Sequence, residues 1–197
     1  MRILDPHRSG FEDHYAAVGR FMVAFQQVEF ALSHHLSIIC AHPSRVAPNN
    51  LIQAMLADSS FGSLLKFAST LPLLLNPTRL YPPERIAAEW TISHARASVD
   101  LQSALKRASL VEQRRNQLVH SSWLTDSSLH SQEGKIYRTK MRNRRGNVEI
   151  VYEEIVAAKI LRETRLCQQV EGALHISLRA FAELSRALTA YETASAA

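Results

Sequence analysis

The chain has little of what marks membrane, secreted or disulfide-stapled proteins. Its 197 residues include two cysteines, six glycines and 7% aromatic residues. The two cysteines, Cys40 and Cys167, fall inside helical patterns and have no CxxC spacing. No run of about 18 apolar residues could span a bilayer, and the first residues, MRILDPHRSG, lack the apolar segment of a secretory signal. These absences predict a cytoplasmic protein with no membrane partner.

Motifs for metal, phosphate-loop and acyl-transfer chemistry are missing as well. The nine histidines form no HxxxH or HExxH pair, and neither a GxSxG elbow nor a glycine-rich phosphate loop is present. The sequence therefore predicts no metal site and no cofactor. A formal net charge of +5 favours an anionic partner, but an excess of this size is shared by many proteins that bind no polyanion.

What the chain does have is helical periodicity over much of its length. Hydrophobic residues make up 46% and charged residues 21%, which is typical of a globular protein, so we expect a single domain over 1–197. His35 falls on the apolar side of the first helix, about residues 11–41, and is interpreted as a core or interface residue. The apolar side chains of that helix recur at steps of three and four: Phe21, Phe25, Val28, Leu32, Leu36 and Ile39.

Prolines and polar breaks divide the rest into three further helical regions. The second comprises NNLIQAMLAD and FGSLLKFASTL and is predicted to stop around Pro72 and Pro77. The third follows PPER and runs to about Ser121. The fourth extends over about 153–191, and a frayed tail follows at about 192–197. The expected architecture is an all-α four-helix bundle.

Between the third and fourth helices the spacing of apolar residues changes from about 3.6 to 2. The alternation in KIYRTKMRNRR and NVEIVY, with the turn signal RRGN where they meet, predicts a small β-hairpin insertion at about 122–152. One face of the hairpin is strongly basic and carries Arg138, Lys140, Arg142 and Arg144. These four side chains form either a solvated face or a patch that contacts the phosphates of RNA.

One charged residue interrupts the apolar face of the third helix. At about 100° per residue, its apolar side chains fall on one stripe with Arg115 at the centre. A guanidinium stays charged and is costly to bury alone, so Arg115 needs a carboxylate, a watery cleft or an anionic ligand. Glu29, at the edge of the first helix's stripe, is the candidate carboxylate. A polar row lies beside Arg115 at i to i+4 spacing: Glu112, Asn116 and His120.

The stretch RRNQLVHSSW, which ends this helix, resembles the RNxxVH element of the HEPN superfamily. The spacing of Arg and His alone is a weak signal, since this composition gives about one such pair by chance. The surroundings also resemble the family, with FxxVE in the first helix and FGSLLKF in the second. The resemblance implies a HEPN-like bundle with Arg115 and His120 as the catalytic pair and Asn116 beside them. Glu29 and Lys66 match as supporting residues, and the basic β-hairpin departs from the pattern.

The resemblance also implies an activity and partners. Many HEPN proteins are RNA-cleaving toxins, so the expected function is a metal-independent endoribonuclease from a toxin-antitoxin or phage-defence system. Such cleavage needs a base, an acid and positive charge on the phosphate, which histidine and arginine supply. One motif provides one such histidine, so a homodimer that joins two motifs would complete the site. The expected partner protein is an antitoxin or a nucleotidyltransferase.

Two other interpretations stay open on the sequence. Arg115 could form a structural tie to a carboxylate, in which case His120 is incidental. The same helix end could also belong to a non-catalytic helical module that binds a nucleotide, RNA or a protein without cutting it. RNA cleavage in the presence of a chelator separates an enzyme from these alternatives.

Overall fold

The protein is described by a computed structural model that covers residues 9–40, 55–56, 58–81, 86, 88–124, 136–144 and 147–196. Its helices and strands are α1 Ser9–Cys40, α2 Phe61–Leu74, α3 Pro77–Leu80, α4 Ala88–Val119, β1 Ser122–Leu124, β2 Ile136–Arg144, β3 Asn147–Ile155 and α5 Ala157–Ala196. The predicted all-α fold with a small β insertion is confirmed. The NNLIQAMLAD part of the second helical region lies largely outside the described residues.

The longest helix–helix seam joins α1 to α5, and these two helices run parallel. Near their starts, His14 Nε2 lies 2.9 Å from the carbonyl oxygen of Ile155, the residue that closes β3. Further along both helices, His35 Nε2 lies 2.9 Å from His175 Nδ1. Because the two contacts advance together along the chain, α1 and α5 point the same way. Parallel neighbours cannot be joined by a tight turn, and here α2, α4 and the sheet lie between them in sequence.

The helix α4 runs antiparallel to both α5 and α2. Late in α4, Arg107 donates to Gln169 Oε1 at 2.9 Å, whereas earlier the ring of His94 packs on Phe181 with 5.9 Å between centroids. His94 Nε2 also donates to the carbonyl oxygen of Pro72 in α2, at 2.7 Å. The C-terminal end of α2 therefore lies against the N-terminal half of α4. Over the ranges described, no helix has the apolar length that a bilayer crossing would need.

The core is the shared interior of these four long helices. All six α1 residues that the periodicity placed on one stripe are between 0 and 5% exposed, so the predicted buried face of α1 is confirmed. Full burial of such a side chain contributes about 1.5–3 kcal/mol. The residues that face this stripe and each other from α2, α4 and α5 include Leu64, Leu71, Leu101, Val111, Ile160, Leu174, Leu178 and Phe181.

Pro72 does not end α2. The sequence predicts a stop around LPLLLNP, between Pro72 and Pro77, and α2 ends within this stretch, at Leu74, with Pro72 inside its last turn. Proline lacks an N–H and leaves one helical carbonyl without its usual donor, which matters less in a last turn than in the middle of a helix. Two bonds hold this turn in place: Leu75 N–H donates to the carbonyl oxygen of Leu71 at 2.9 Å, and His94 donates to that of Pro72.

The insertion is a three-stranded antiparallel sheet in the order β1-β2-β3. The predicted hairpin is confirmed as β2 and β3, which pair from the turn to Ile136 opposite Ile155. β1 adds only Ser122–Leu124, which is too short for alternation to reveal. Ile155 is 4% exposed and still paired, so the helix predicted from about 153 begins instead at Ala157.

Arg138 is a buried structural residue of the sheet. Its side chain is 10% exposed, and its guanidinium is ion-paired with Glu153 on the neighbouring strand β3. Lys159 Nζ, from the first turn of α5, lies 2.9 Å from the other oxygen of the same carboxylate. Glu153 therefore ties β2, β3 and α5 together. Arg138 is predicted to share a basic face with Lys140, Arg142 and Arg144, and in the structure its charge is paired with Glu153 and its side chain is mostly hidden from solvent.

The other basic residues of β2 are described by their backbones alone. The register pairs Arg142 with Glu149 of β3. The backbones of Lys140, Arg142 and Arg144 lie in β2, whereas their side chains lie outside the part of the chain that is described. Their predicted contact with RNA stays a prediction.

The tie at Glu153 predicts a specific loss of stability. In Glu153→Gln, the buried Arg138 loses its carboxylate, so the free energy of unfolding at pH 7 should fall by about 1–3 kcal/mol. Urea denaturation measures this change. The control is Glu183→Gln, which breaks the exposed pair between Arg179 and Glu183 and should change stability by less than about 0.5 kcal/mol. Equal losses in the two variants would contradict the structural role of Glu153.

The same tie has a pH dependence of known sign. The bond from Lys159, followed by that from Arg138, holds the pKa of Glu153 below its ordinary value of 4.5. The stabilisation is therefore present above that pH and is lost as the pH falls through the lowered pKa. The difference between wild type and Glu153→Gln should accordingly shrink as the pH falls below the ordinary pKa of 4.5.

Candidate functional site

Arg115 lies near the end of α4 on the side that faces the interior of the bundle. Its Cζ is 5.7 Å from the centroid of the Phe25 ring in α1. The Phe25 ring packs in turn on Phe61, the first residue of α2, with 5.0 Å between centroids and a tilt of 58°. A cation over an aromatic face is stabilised by the quadrupole of the ring. The guanidinium of Arg115 therefore lies on the apolar stripe of α4, over the aromatic ring of Phe25.

The hydrogen bonds of Arg115 leave part of its guanidinium unused. One terminal nitrogen, Nη1, donates to Oδ1 of Asn116 at 3.0 Å. Nε is buried and has no hydrogen-bond partner among the described residues. The ion pair expected with Glu29 is not formed, and no other carboxylate of the described ranges lies at ion-pair distance from Arg115. Phe25, one turn before Glu29 on α1, takes the position under the guanidinium.

The start of α2 lies beside the polar row of α4. A Cβ built on Gly62 would lie 3.4 Å from Oε1 of Glu112, so the missing side chain lets α2 approach this carboxylate closely. Ser60 caps the helix, its Oγ accepting the N–H of Ser63 at 3.2 Å. Lys66 follows Gly62 by one turn and is exposed. Glu112 therefore lies where the two helices meet, and Lys66 is exposed one turn further along α2.

His120 extends α4 by one residue. Its backbone N–H donates to the carbonyl oxygen of Asn116 at 3.0 Å, and its side chain is exposed. Five residues correspond to about 140° around a helix, so Arg115 and His120 leave the helix in different directions. Within the described part of the chain, no contact joins the two side chains. Asn116 connects them indirectly, through its side chain to Arg115 and through its carbonyl to His120.

The end of α4 thus brings together groups with complementary chemistry. A guanidinium can bind two oxygens of a phosphate at once, and the guanidinium of Arg115 is bonded to Asn116 while its buried Nε has no partner among the described residues. An imidazole open to solvent, such as that of His120, can take up or release a proton. Phe25 is the site residue that sequence reasoning assigned only to the core and to the FxxVE match. Nothing in its spacing indicates that its ring would lie under Arg115.

Two cavities border α4 and α5, and the smaller lies at the same end of α4 as Arg115. The smaller, of about 30 Å³, is lined by charged side chains of both signs. These include Arg114 and Glu163, with 3.5 Å between Nε of the arginine and Oε1 of the glutamate. The larger, of about 430 Å³, surrounds Ala97 near the other end of α4. None of the three residues predicted to be catalytic lines either cavity. Among the described residues, no group of three His, Cys, Asp or Glu could hold a metal ion.

The surroundings of Arg115 predict that its charge does not stabilise the fold. In Arg115→Met, a side chain of similar length replaces a buried donor that has no carboxylate partner, so the free energy of unfolding should stay the same or rise. The control is Val111→Ala, one turn earlier at 1% exposure, which should lose about 1–3 kcal/mol. Urea denaturation of both variants decides, and a loss above about 2 kcal/mol in Arg115→Met would mean that the guanidinium is a structural tie.

Known protein families, curated proteins and solved structures offer no match to this chain. The resemblance in RRNQLVHSSW therefore stands on those ten residues and on the helices around them. What the end of α4 can do follows from the chemistry of Arg115, Asn116 and His120 and from their surroundings.

Proposed function

We propose that the protein is a metal-independent endoribonuclease in which Arg115 binds the phosphate and His120 transfers a proton. The observation that carries this proposal is the state of Arg115: it lies over Phe25, is oriented by Asn116, keeps a buried N–H without an acceptor and has no carboxylate beside it in the described residues. A guanidinium without a carboxylate partner can bind an anion. We take this anion to be the phosphodiester of RNA, because its cleavage would also need proton transfer by the neighbouring imidazole of His120.

The reaction is an internal displacement at phosphorus. A base removes the proton of the ribose 2′-OH, the O2′ atom attacks the phosphorus, and the bond from phosphorus to O5′ breaks. The leaving O5′ takes a proton from an acid, so the products are a 2′,3′-cyclic phosphate and a 5′-OH end. Arg115 would neutralise charge on the phosphorane oxygens, and Glu112, where α2 meets α4, and Lys66, on α2, would border the substrate.

A homodimer would supply both the acid and the base. Each chain offers one exposed His120 and one Arg115 in the motif, whereas the displacement needs two proton transfers. A two-fold axis beside the end of α4 would bring a second His120 to the same phosphate. In this arrangement Lys140, Arg142 and Arg144 of β2 would hold flanking phosphates, and Glu29 would take no direct part.

The biological setting follows from the chemistry proposed. An RNA-cleaving protein of this kind fits a cytoplasmic toxin of a toxin-antitoxin or phage-defence system, held in check by an antitoxin or modified by a nucleotidyltransferase. These partners are proposed on the resemblance of RRNQLVHSSW to the HEPN element.

A non-catalytic module is the second candidate, and one observation favours it. Arg115 and His120 leave α4 in different directions and share no side-chain contact within the described residues, so a single chain presents them as separate groups. Such a surface could bind a nucleotide, RNA or a protein through Arg115 alone. Cleavage distinguishes the two functions, because a binding module leaves RNA intact.

The activity is tested with purified protein and mixed RNA in a chelator. Wild type should cut, leave 2′,3′-cyclic ends, spare a 2′-deoxy substrate and show a bell-shaped pH profile if two imidazoles share the proton transfers. His120→Ala should lower the rate by at least about 100-fold with an unchanged helical CD signal, because it removes an exposed proton-transfer group. His34→Ala, which removes an exposed histidine from α1, is the matched control and should cut normally.

Arginine variants provide the second arm of this test. Arg115→Met should abolish cleavage while keeping the fold, whereas Arg107→Met, two turns earlier on α4, should keep activity. The nuclease proposal fails if wild type binds RNA without cutting it, or if His120→Ala cuts as fast as its parent. The binding module then takes its place.

The dimer makes a separate prediction. Light scattering at micromolar concentration should give twice the 22.1 kDa of one chain. A cross-linker attached through a cysteine at position 120, in a background without Cys40, should join the two copies. A monomer across this concentration range would leave the second proton transfer without a group and would count against the composite site.

A further inference from the structure

Two histidines join the two parallel helices of the long seam. His35 of α1 is 7% exposed, and its Nε2 lies 2.9 Å from Nδ1 of His175 on α5, with 4.7 Å between ring centroids and a tilt of 69°. At that distance one nitrogen must carry a proton and the other a lone pair. The bond therefore exists when the pair holds one shared proton between the rings, and it is impossible when both nitrogens are protonated.

No carboxylate of the described residues compensates charge on this pair. Neither imidazole has an acidic group at ion-pair distance in those ranges. The nearest titratable group on α1 is His34, whose ring centroid is 5.6 Å from that of His35. On α5, the charged residues one turn to either side of His175 are Glu171 and Arg179, and Arg179 is ion-paired with Glu183 at 2.9 Å. The second proton on the pair thus meets mainly like charge.

Protons added to the two rings have different consequences for this bond. A proton on Nε2 of His175 leaves the Nδ1–H of that ring in place, so His175 can still donate to the Nε2 lone pair of His35. The bond survives this protonation. Burial, followed by the nearby His175 and His34, holds the pKa of His35 below its ordinary value of 6.5. The second proton therefore arrives only in acid, and it removes the lone pair that held the bond.

We propose that His35 and His175 form a proton-operated latch that holds the C-terminal part of α1 on α5 and releases it when both rings are protonated. The seam near His14 and Ile155 stays closed, because that contact uses a backbone carbonyl and lies at the opposite end of α1. The Arg115 site stays assembled as well. Phe25, which supports Arg115, is ten residues from His35, or about 15 Å along the helix.

The chain carries its own reporter for this opening. Cys40 closes α1 five residues after His35 and is half-buried, whereas Cys167 lies deep in α5 with 0% exposure. Burial, and next the charge of Glu163, raise the pKa of the Cys167 thiol to about 12, so this cysteine does not react while the bundle is folded. The rate of reaction with a thiol reagent therefore reports mainly how accessible Cys40 is at the end of α1.

The experiment measures the rate at which Cys40 reacts with 4,4′-dithiodipyridine between pH 8 and pH 4.5, divided by the rate of a cysteine peptide. The normalised rate should be level above about pH 6 and should then rise about tenfold per pH unit once the second proton governs opening. The helical CD signal should stay nearly constant over the same range. Cys40→Ser should remove the reaction.

Matched glutamine variants identify the groups. His175→Gln keeps an amide that can bond His35 and does not titrate, so its normalised rate should stay level. His34→Gln removes the neighbouring imidazole and keeps the pair, so the acid rise should persist. A wild type that stays level to pH 4.5, a rise that survives in His175→Gln, or a parallel loss of CD signal, which signals global unfolding, would each overturn the latch.

Discussion

The parallel seam between α1 and α5 is the constraint on which the other parts of the structure depend. Phe21, Leu32 and Leu36 on α1 and Leu174 and Leu178 on α5 are fully buried, so the two longest apolar stripes are matched along their length. Because the helices are parallel, the chain must return between them. α4 makes that return, α2 covers the open side of α1 and α4, and the sheet joins the end of α4 to the start of α5.

This seam also fixes where charge can lie. α1 turns Phe25 toward the end of α4, and the ring supplies the support for Arg115. Arg138 is also a buried charge, but it is neutralised by an ion pair with Glu153 on the neighbouring strand. Both arginines have a buried Nε without a partner in the described part of the chain. Only Arg115 lacks a carboxylate there, so it is the one whose charge an outside anion would meet uncompensated.

The middle and the C-terminal part of α1 have different chemistry. Around Phe25, an aromatic pair, a helix start and the polar row of α4 come together at the proposed phosphate site. Around His35, the contact to α5 is an imidazole pair that depends on the number of protons bound. About 15 Å of helix separates them, and the apolar core between them is insensitive to pH. In the proposed latch, acid would act on the C-terminal part of α1 while the middle of the helix keeps its geometry.

The sequence by itself determined the helices, their buried faces and the position of the anomalous charge. The spacing of Phe21 to Ile39 and the place of Arg115 on the stripe of α4 depend on the 100° step of a helix, which any local stretch of chain reveals. Local spacing also predicted the hairpin. It did not predict β1, because three residues are too few to show alternation and form a strand only by pairing with β2. Nor did it reveal the helix through Pro72, which is held by a bond from His94 on another helix.

Only the tertiary structure decided which side chains contact Arg115 and Arg138. Glu29 and Phe25 lie one turn apart on the same side of α1, so periodicity could not tell which of them would lie under Arg115, and the crossing of α1 and α4 selected the ring. Arg138 looked like its basic neighbours on β2 until the register placed Glu153 opposite it. Spacing along the chain fixes which way a side chain points, whereas what it meets depends on how distant segments pack.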